Sequence, residues 1–507
     1  MTIAIQFLGA VETVTGSQYL VTAGERRILV DCGFFQGSPN EVARNRMPFA
    51  FEARSVDALL LTHAHLDHCG RIPSLVKAGF TGPIHATPGT LDLTEIVLRD
   101  AAKLQDEAEA RWRRHHPEAA DTTDTADEET AVERDDPGMP ARLRQADPEA
   151  ATMSRAALYH PADVDTTVRL FRPVRYEETL HVAPGITARF HDAGHILGSA
   201  IIELTVTDGG VATTIVFSGD LGRCDTPILR DPTPISHADF VLVESTYGNR
   251  EHGPMAQAVE DLAAAVSEVA GGRGVLLVPS FAIGRTQEVV WELDRLLRDG
   301  RVPRLALFLD SPMASRASDV YLRHPEDYDE ETVALLRSGS SPLEYPGEQF
   351  TNDAEQSKAI RTQPRPFMVV ASSGMLTGGR ILHHLKDFLP DPASMLLFIG
   401  YQGQGSLGYA IQHGAKEARI DGQVYPVRCK VRSISGFSAH ADEHELEDWV
   451  RNFARAGGAA AANGRPKTVF VVHGDPEAAS AFADRTRGDL GLEVQLPTYR
   501  QEVVLRP

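Results

Sequence analysis

Thr62-His63-Ala64-His65-Leu66-Asp67-His68-Cys69-Gly70 places four candidate ligands, His63, His65, Asp67 and His68, within six positions. Asp57 to Thr62 is a short apolar run of strand length, and Gly70 to Ala78 continues with helical spacing, so the cluster falls where a strand gives way to a helix. Neutral imidazole with carboxylate is a donor set suited to zinc. Histidines alternating at a strand end can point the same way, while Asp67 and His68 turn toward a second position. The pattern predicts a two-metal centre. The competing reading is a polar turn with chance histidines. Two histidines alone would leave it favoured, but three histidines and an aspartate in this order argue against it.

A dinuclear centre needs further ligands from other strand ends. His195 stands in His191-Asp-Ala-Gly-His-Ile-Leu-Gly-Ser199, where small residues permit close backbone approach to an ion. Asp220 ends the apolar run Ile215-Val-Phe-Ser-Gly-Asp220 as a carboxylate able to bridge two cations, and His473 follows Thr468-Val-Phe-Val-Val472. Each of the three taken singly reads as an ordinary polar group at a strand end. Their shared context makes them candidate ligands.

With these residues in view, the chain resembles the metallo-β-lactamase superfamily. Within it, the resemblance is to the β-CASP nucleases that process RNA, of the cleavage-and-polyadenylation endonuclease kind with a C-terminal RNA-metabolising metallo-β-lactamase motif. The family's motifs occur in order: Asp31 in Ile28-Leu-Val-Asp-Cys-Gly33, then His63 to His68, His195 and Asp220. The β-CASP additions follow as Glu244 in Val241-Leu-Val-Glu-Ser-Thr-Tyr-Gly248, His440 in Ser435-Gly-Phe-Ser-Ala-His-Ala-Asp442, and His473 before Gly474-Asp475. The resemblance covers nearly the whole length. Its most specific signals are Glu-Ser-Thr-Tyr-Gly and Phe-Ser-Ala-His together with the histidine cluster.

The fold implied is α/β: a four-layer αββα sandwich with an inserted parallel-sheet α/β cap. At 507 residues the chain exceeds what one core usually supports. Residues 1–245 read as the first part of the sandwich, with an acidic insertion at about 106–150; 246–400 read as the cap, and 401–507 as the return to the sandwich. In the cap, Gly274 to Phe281, Leu305 to Met313 and Phe367 to Gly374 are strand-to-turn runs, each leading into a helix, which predicts a parallel sheet with right-handed crossovers. Ala456 to Gly464 is a Gly/Ala-rich, linker-like patch.

Composition fits without deciding. Hydrophobic residues make up 42%, no apolar run approaches the roughly 20 residues a membrane crossing needs, and the N-terminus lacks a signal-peptide pattern. A soluble cytoplasmic protein is expected, with homodimer formation left open. Four cysteines without paired spacing read as reduced thiols, and Cys69 as a packing residue. The net charge of −20 argues against nucleic acid at first sight. Residues 106 to 149 account for −8 of it, with fourteen acidic residues against six arginines, as a solvated or disordered segment. Bound cations would supply local positive charge in their own right.

By resemblance, one zinc would take His63, His65 and His195, the other Asp67, His68 and His473, with Asp220 bridging the two Zn2+ ions and Asp31 supporting the ligands. A hydroxide bridging the ions would attack a phosphodiester of single-stranded RNA, since metal coordination lowers the pKa of water from about 15.7 to about 7. His440 would give the departing ribose oxygen its proton, oriented by Glu244, and Asp67 is also placed among the catalytic groups. The turn Ser372 to Arg380, with Ser373, Gly374, Thr377 and Gly378, suits a phosphate by its amides and hydroxyls, as does Arg285 at a helix start. Met375 and Phe281 read as core, His115-His116 as solvated, and of His383-His384 at most one is expected at substrate. Rival readings are a small-molecule metallo-hydrolase acting on a thioester or lactone, a DNA-processing relative, or a non-catalytic scaffold. The first has no use for the cap, the second typically lacks histidine at the position of His473, and the third would have lost ligands. Endonucleolytic and 5′-exonucleolytic cutting are both open.

Overall fold

Period-two alternation along the strands sorts the core into layers. Phe470 and Val472 pack with Phe7, Phe217 and Leu242, whereas Val469 and Val471 pack with Val241, Val243, Trp449 and Phe482. The first sheet divides likewise: Ile5, Phe7, Val21, Ile28 and Leu60 face inward, while Leu20, Leu29, Leu59 and Leu61 face Leu75 and Leu98. Burial of each inter-sheet phenylalanine contributes roughly 1.5–3 kcal/mol by transfer from water.

The computed structural model describes residues 1–115, 156–341, 343–351, 353–400, 402, 406–455 and 466–506. Most of the acidic insertion, His116 and the patch 456–464 lie outside the described residues. Residues 106–115 form the last turns of the helix Pro88–His115. No helix among the described residues is long and apolar enough to cross a membrane.

One seven-stranded sheet runs in the order Glu502–Arg506, Ile3–Gly9, Gln18–Ala23, Arg26–Val30, Ala58–Leu60, Ile84–Ala86 and Phe171–Pro173. The other runs Val494–Gln495, Thr468–Val471, Phe240–Val243, Val211–Phe217, Ala200–Asp208, Ile186–Asp192 and Leu180–Ala183. Helices Ile72–Lys77 and Pro88–His115 cover the first, and Glu443–Arg455 and Pro476–Leu490 the second, completing an αββα sandwich. Arg26–Val30 runs parallel to Ala58–Leu60, and Val211–Phe217, Phe240–Val243 and Thr468–Val471 run parallel to one another. Their C-terminal ends therefore lie at one edge, where open α/β sheets gather functional groups.

The third sheet is the cap: Glu348–Phe350, Ala306–Asp310, Phe367–Ala371, Val275–Pro279, Met395–Phe398 and Lys430–Ser433, paired in parallel throughout. Leu276, Leu307, Met368 and Leu397 pack on helices Met255–Gly272 and Arg285–Arg298, and Leu277, Phe308, Val369 and Phe398 on helix Ile381–Phe388. The sequence reading ended the cap near residue 400. By sheet membership the chain instead returns to the sandwich after Ser433, because Met395–Phe398 pairs residue for residue with Lys430–Ser433. The hairpin Glu417–Ile420 and Gln423–Pro426 joins the cap's apolar cluster through Ala418 and Ile420. The cap docks on the sandwich through helix Pro312–Arg323, whose Ala317, Val320 and Tyr321 share a cluster with Leu91 and Leu98.

Candidate active site

Every residue singled out as a ligand follows the end of a strand on the common edge, and the structure brings them into two groups. His63, His65, His195 and Asp220 form one, and Asp67, His68 and His473 the other, with the ligand atoms of each group within 4.8 Å of one another. In the first, His65 Nδ1 lies 3.1 Å from both His63 Nε2 and His195 Nε2. In the second, His68 Nε2 lies 3.1 Å from His473 Nε2, and Asp67 Oδ2 is 3.7 Å from the same atom. Asp220 joins the groups: Oδ2 is 3.4 Å from His63 Nε2 and 3.7 Å from His195 Nε2, while Oδ1 is 3.3 Å from His68 Nε2 and 3.5 Å from His473 Nε2.

The outward ring nitrogens are held from behind. Asp31 Oδ2 pairs with His68 Nδ1 at 2.8 Å, and Asp31 Oδ1 accepts from the Thr62 amide at 2.9 Å. The Thr62 hydroxyl meets His63 Nδ1 at 3.1 Å, the Ala439 carbonyl meets His195 Nδ1 at 3.2 Å, and the Thr246 hydroxyl meets His473 Nδ1 at 3.1 Å. Such contacts fix tautomer and ring direction and leave the inward nitrogens as lone-pair donors. Facing lone pairs at 3.1 Å repel one another unless a cation lies between them. Asp220 Oδ1 is buried without a hydrogen-bond partner among the described residues. Burial drives the His63 and His195 imidazoles well below their ordinary pKa, toward the neutral form that binds metal, whereas at His68 and His473 the neighbouring carboxylates, Asp220 first, outweigh burial and hold the pKa above its ordinary value. The donor set therefore fits metal ions, and imidazole with carboxylate fits zinc.

Beside the clusters stands His440, the expected proton donor. Burial lowers the His440 imidazole's pKa, but the Glu244 carboxylate 3.1 Å from its Nδ1, with Asp220 and Asp67 beyond, outweighs burial and holds it above the ordinary value. Glu244 is fully buried and fixed by the amides of Leu221, at 2.8 Å, and Thr246, at 3.1 Å. The His252 ring supports the same segment, 3.1 Å from the His440 carbonyl. Neither Thr246 nor His252 was singled out from the sequence. Thr246 stood inside the Glu244 motif, and its spacing of two from the glutamate at a strand end was the available signal.

The predicted phosphate groups fare differently. Arg285 borders the cavity beside the clusters but is 5% exposed, with its guanidinium paired to the Glu288 carboxylate. Ser373 and Thr377 bond one another at 3.2 Å, and they do not bound that cavity, nor do Gly374 and Gly378. His384 is buried against Asp310, its Nε2 2.6 Å from Oδ2, while His383 is exposed. Phe281 was expected in the core. It is instead 41% exposed at the cavity, and Met375 borders the cavity with it. Cys69 is buried in the sandwich core, as its packing reading required.

A sandwich edge carrying two His/Asp clusters beneath an inserted cap defines a metal-dependent hydrolase. Comparison with known proteins agrees: residues 11–246 match the metallo-beta-lactamase superfamily, 286–411 the Beta-Casp domain, and 424–497 the Zn-dependent metallo-hydrolase RNA specificity domain. The chain is 37% identical to Ribonuclease TTHA0252 of Thermus thermophilus over 98% of each chain. It is 30% identical to Transcription termination factor FttA of Methanosarcina mazei, over 99% of this chain and 72% of that one. A crystal structure of a protein of unknown function from Enterococcus faecalis V583 shares the fold, with a TM-score of 0.53 at 12% identity over 99% of this chain and 100% of that one. The chain belongs to the metallo-β-lactamase superfamily, in its β-CASP branch.

Proposed function

We propose that this protein is a zinc-dependent ribonuclease that hydrolyses phosphodiester bonds of single-stranded RNA with two zinc ions. The observation that carries the reading is the convergence of seven ligand residues on two adjoining centres with the Glu244–His440 pair beside them. Two bound cations would lower the pKa of water and neutralise charge growing on the phosphate oxygens. The protein's own groups supply the rest. His440, kept protonated by Glu244, donates to the leaving ribose oxygen. Asp67 is the more open of the two ligand carboxylates, its side chain 20% exposed against 2% for Asp220, which suits it to orient an attacking water. Thr246, Asp31 and the Ala439 carbonyl hold the ligand rings in register. The names of the relatives, a ribonuclease and a termination factor, favour RNA over a small acyl substrate.

The test is purified protein with RNA labelled at either end, with zinc, after chelation, and as His440→Ala. Internal fragments indicate endonucleolytic cutting, and release from the 5′ label alone indicates exonucleolytic cutting. Hydrolysis that survives chelation or loss of His440 refutes the chemistry.

A further inference from the structure

We propose that the cavity adjoining the metal clusters is a nucleobase site, in which one base of the substrate strand stacks on Phe281 against an apolar wall of the helix Pro88–His115. The inference rests on the ribonuclease reading for its substrate and adds where that substrate's base goes. The cavity holds about 390 Å3, within the range of small-ligand pockets. One end is bounded by His65, Asp67, His195, Asp220, His440 and His473, the ligands and acid already described.

The remaining lining is mostly apolar, Asp100 of the helix Pro88–His115 being charged and 3.6 Å from Arg316, and its two walls come from different parts of the fold. Val97, Ala101 and Leu104 are spaced by four and three residues, so they share one face of their helix, and Leu104 is 58% exposed there. Opposite stand Phe281, Ile283 and Met313 of the cap. A large exposed aromatic beside buried charged groups has no packing reason to be there, and exposed apolar surface of this kind marks binding. The ring is also held in place. A Cβ on Gly374 would come within 2.9 Å of Phe281 Cδ2, so glycine at that position lets the ring rest on the backbone of the Ser372–Arg380 turn. A nucleotide is the ligand whose two halves match the cavity: an anionic phosphate for the clusters once they hold their cations and a flat apolar base for the walls. Aromatic stacking accepts every base, because each has a π-face.

The test measures binding of a single-stranded RNA carrying one 2-aminopurine, with zinc present and in a His440→Ala background. It compares Phe281, Phe281→Ala and Phe281→Tyr, and repeats the set with an abasic site in place of the fluorescent base. Phe281→Ala is expected to weaken binding by between about 5-fold and 150-fold, and Phe281→Tyr to restore it. The abasic RNA should bind Phe281 and Phe281→Ala proteins alike, since the partner of the ring is then gone. Equal binding of intact RNA by Phe281→Ala overturns the inference, as does a loss that tyrosine fails to rescue or that persists with the abasic strand. The hydrolysis assay fails separately: a wild-type protein that binds in this Phe281-dependent way yet cuts no RNA removes the nuclease reading and leaves the base site standing.

Discussion

Replacing Asp310 by alanine should cost the cap about 3–5 kcal/mol, because it strips the charge from the hub of a buried polar network. Asp310 ends a central cap strand and is fully buried. Its Oδ1 takes Arg380 NH1 at 2.6 Å and the Thr351 hydroxyl, and its Oδ2 takes His384 Nε2 at 2.6 Å and the Ser357 hydroxyl at 2.5 Å. Burial pushes this carboxyl's pKa up, but those four hydrogen bonds outweigh it and hold the group well below the usual carboxylate range. The sign follows. A depressed folded-state pKa contributes stability that is complete above the unfolded value of about 3.9 and is lost as pH falls through the folded one. The deficit of Asp310→Ala against wild type should therefore be present at neutral pH and shrink below about 4 as Asp310 protonates. Urea unfolding followed by tryptophan fluorescence reads it, since Trp291 lies in a cap helix. Because Arg380 closes the turn that backs Phe281, the variant should also lose RNA affinity while keeping its zinc. A deficit below about 0.5 kcal/mol, within the scatter of ordinary surface changes, would refute the reasoning, as would one that fails to shrink in acid below about pH 4.

Three further outcomes are expected. Thr246→Val removes the hydroxyl at His473 Nδ1 and should weaken zinc binding by about 10- to 100-fold in a chelator competition, with the fold intact by circular dichroism. Gly374→Ala should displace the Phe281 ring, lowering RNA affinity without changing zinc content measured by mass spectrometry. Burial, with Asp327 adding to it against the Gly194 amide, raises Asp192 to about 7. The folded chain then keeps a proton that the unfolded chain releases above about pH 4, so this one group's contribution to stability should fall by on the order of 1 kcal/mol per pH unit up to pH 7. Asp192→Asn should flatten that slope in thermal melts taken from pH 5 to 8.

Asp220 and His473 were legible because each closely follows an apolar strand, His63 to His68 because they cluster after one, and His195 through its small neighbours; strands in parallel order put their C-terminal ends on one edge. The Glu244–His440 pair was accessible only through resemblance: the whole cap lies between the two residues, and no local pattern joins them. The last strand of the cap sheet was missed for a physical reason. Lys430–Ser433 is an edge strand with exposed polar residues and lacks the continuous apolar run of its buried neighbours. Glu417–Ile420 alternates buried and exposed residues, which imitates a sandwich strand. Phe281 was misread because its flanks, Pro279-Ser280 and Ala282-Ile283, look like a strand entering the core. Its exposure depends on a cleft made with a helix some 180 positions earlier, beyond the reach of any sequence window.

The ligands are also ordered in time. A polypeptide leaving the ribosome carries His63 to His68 long before His440 and His473 are made. Until they are, His440 and the second cluster's last imidazole, His473, are both missing, so on the proposed chemistry a half-made molecule could not cut the very message that encodes it.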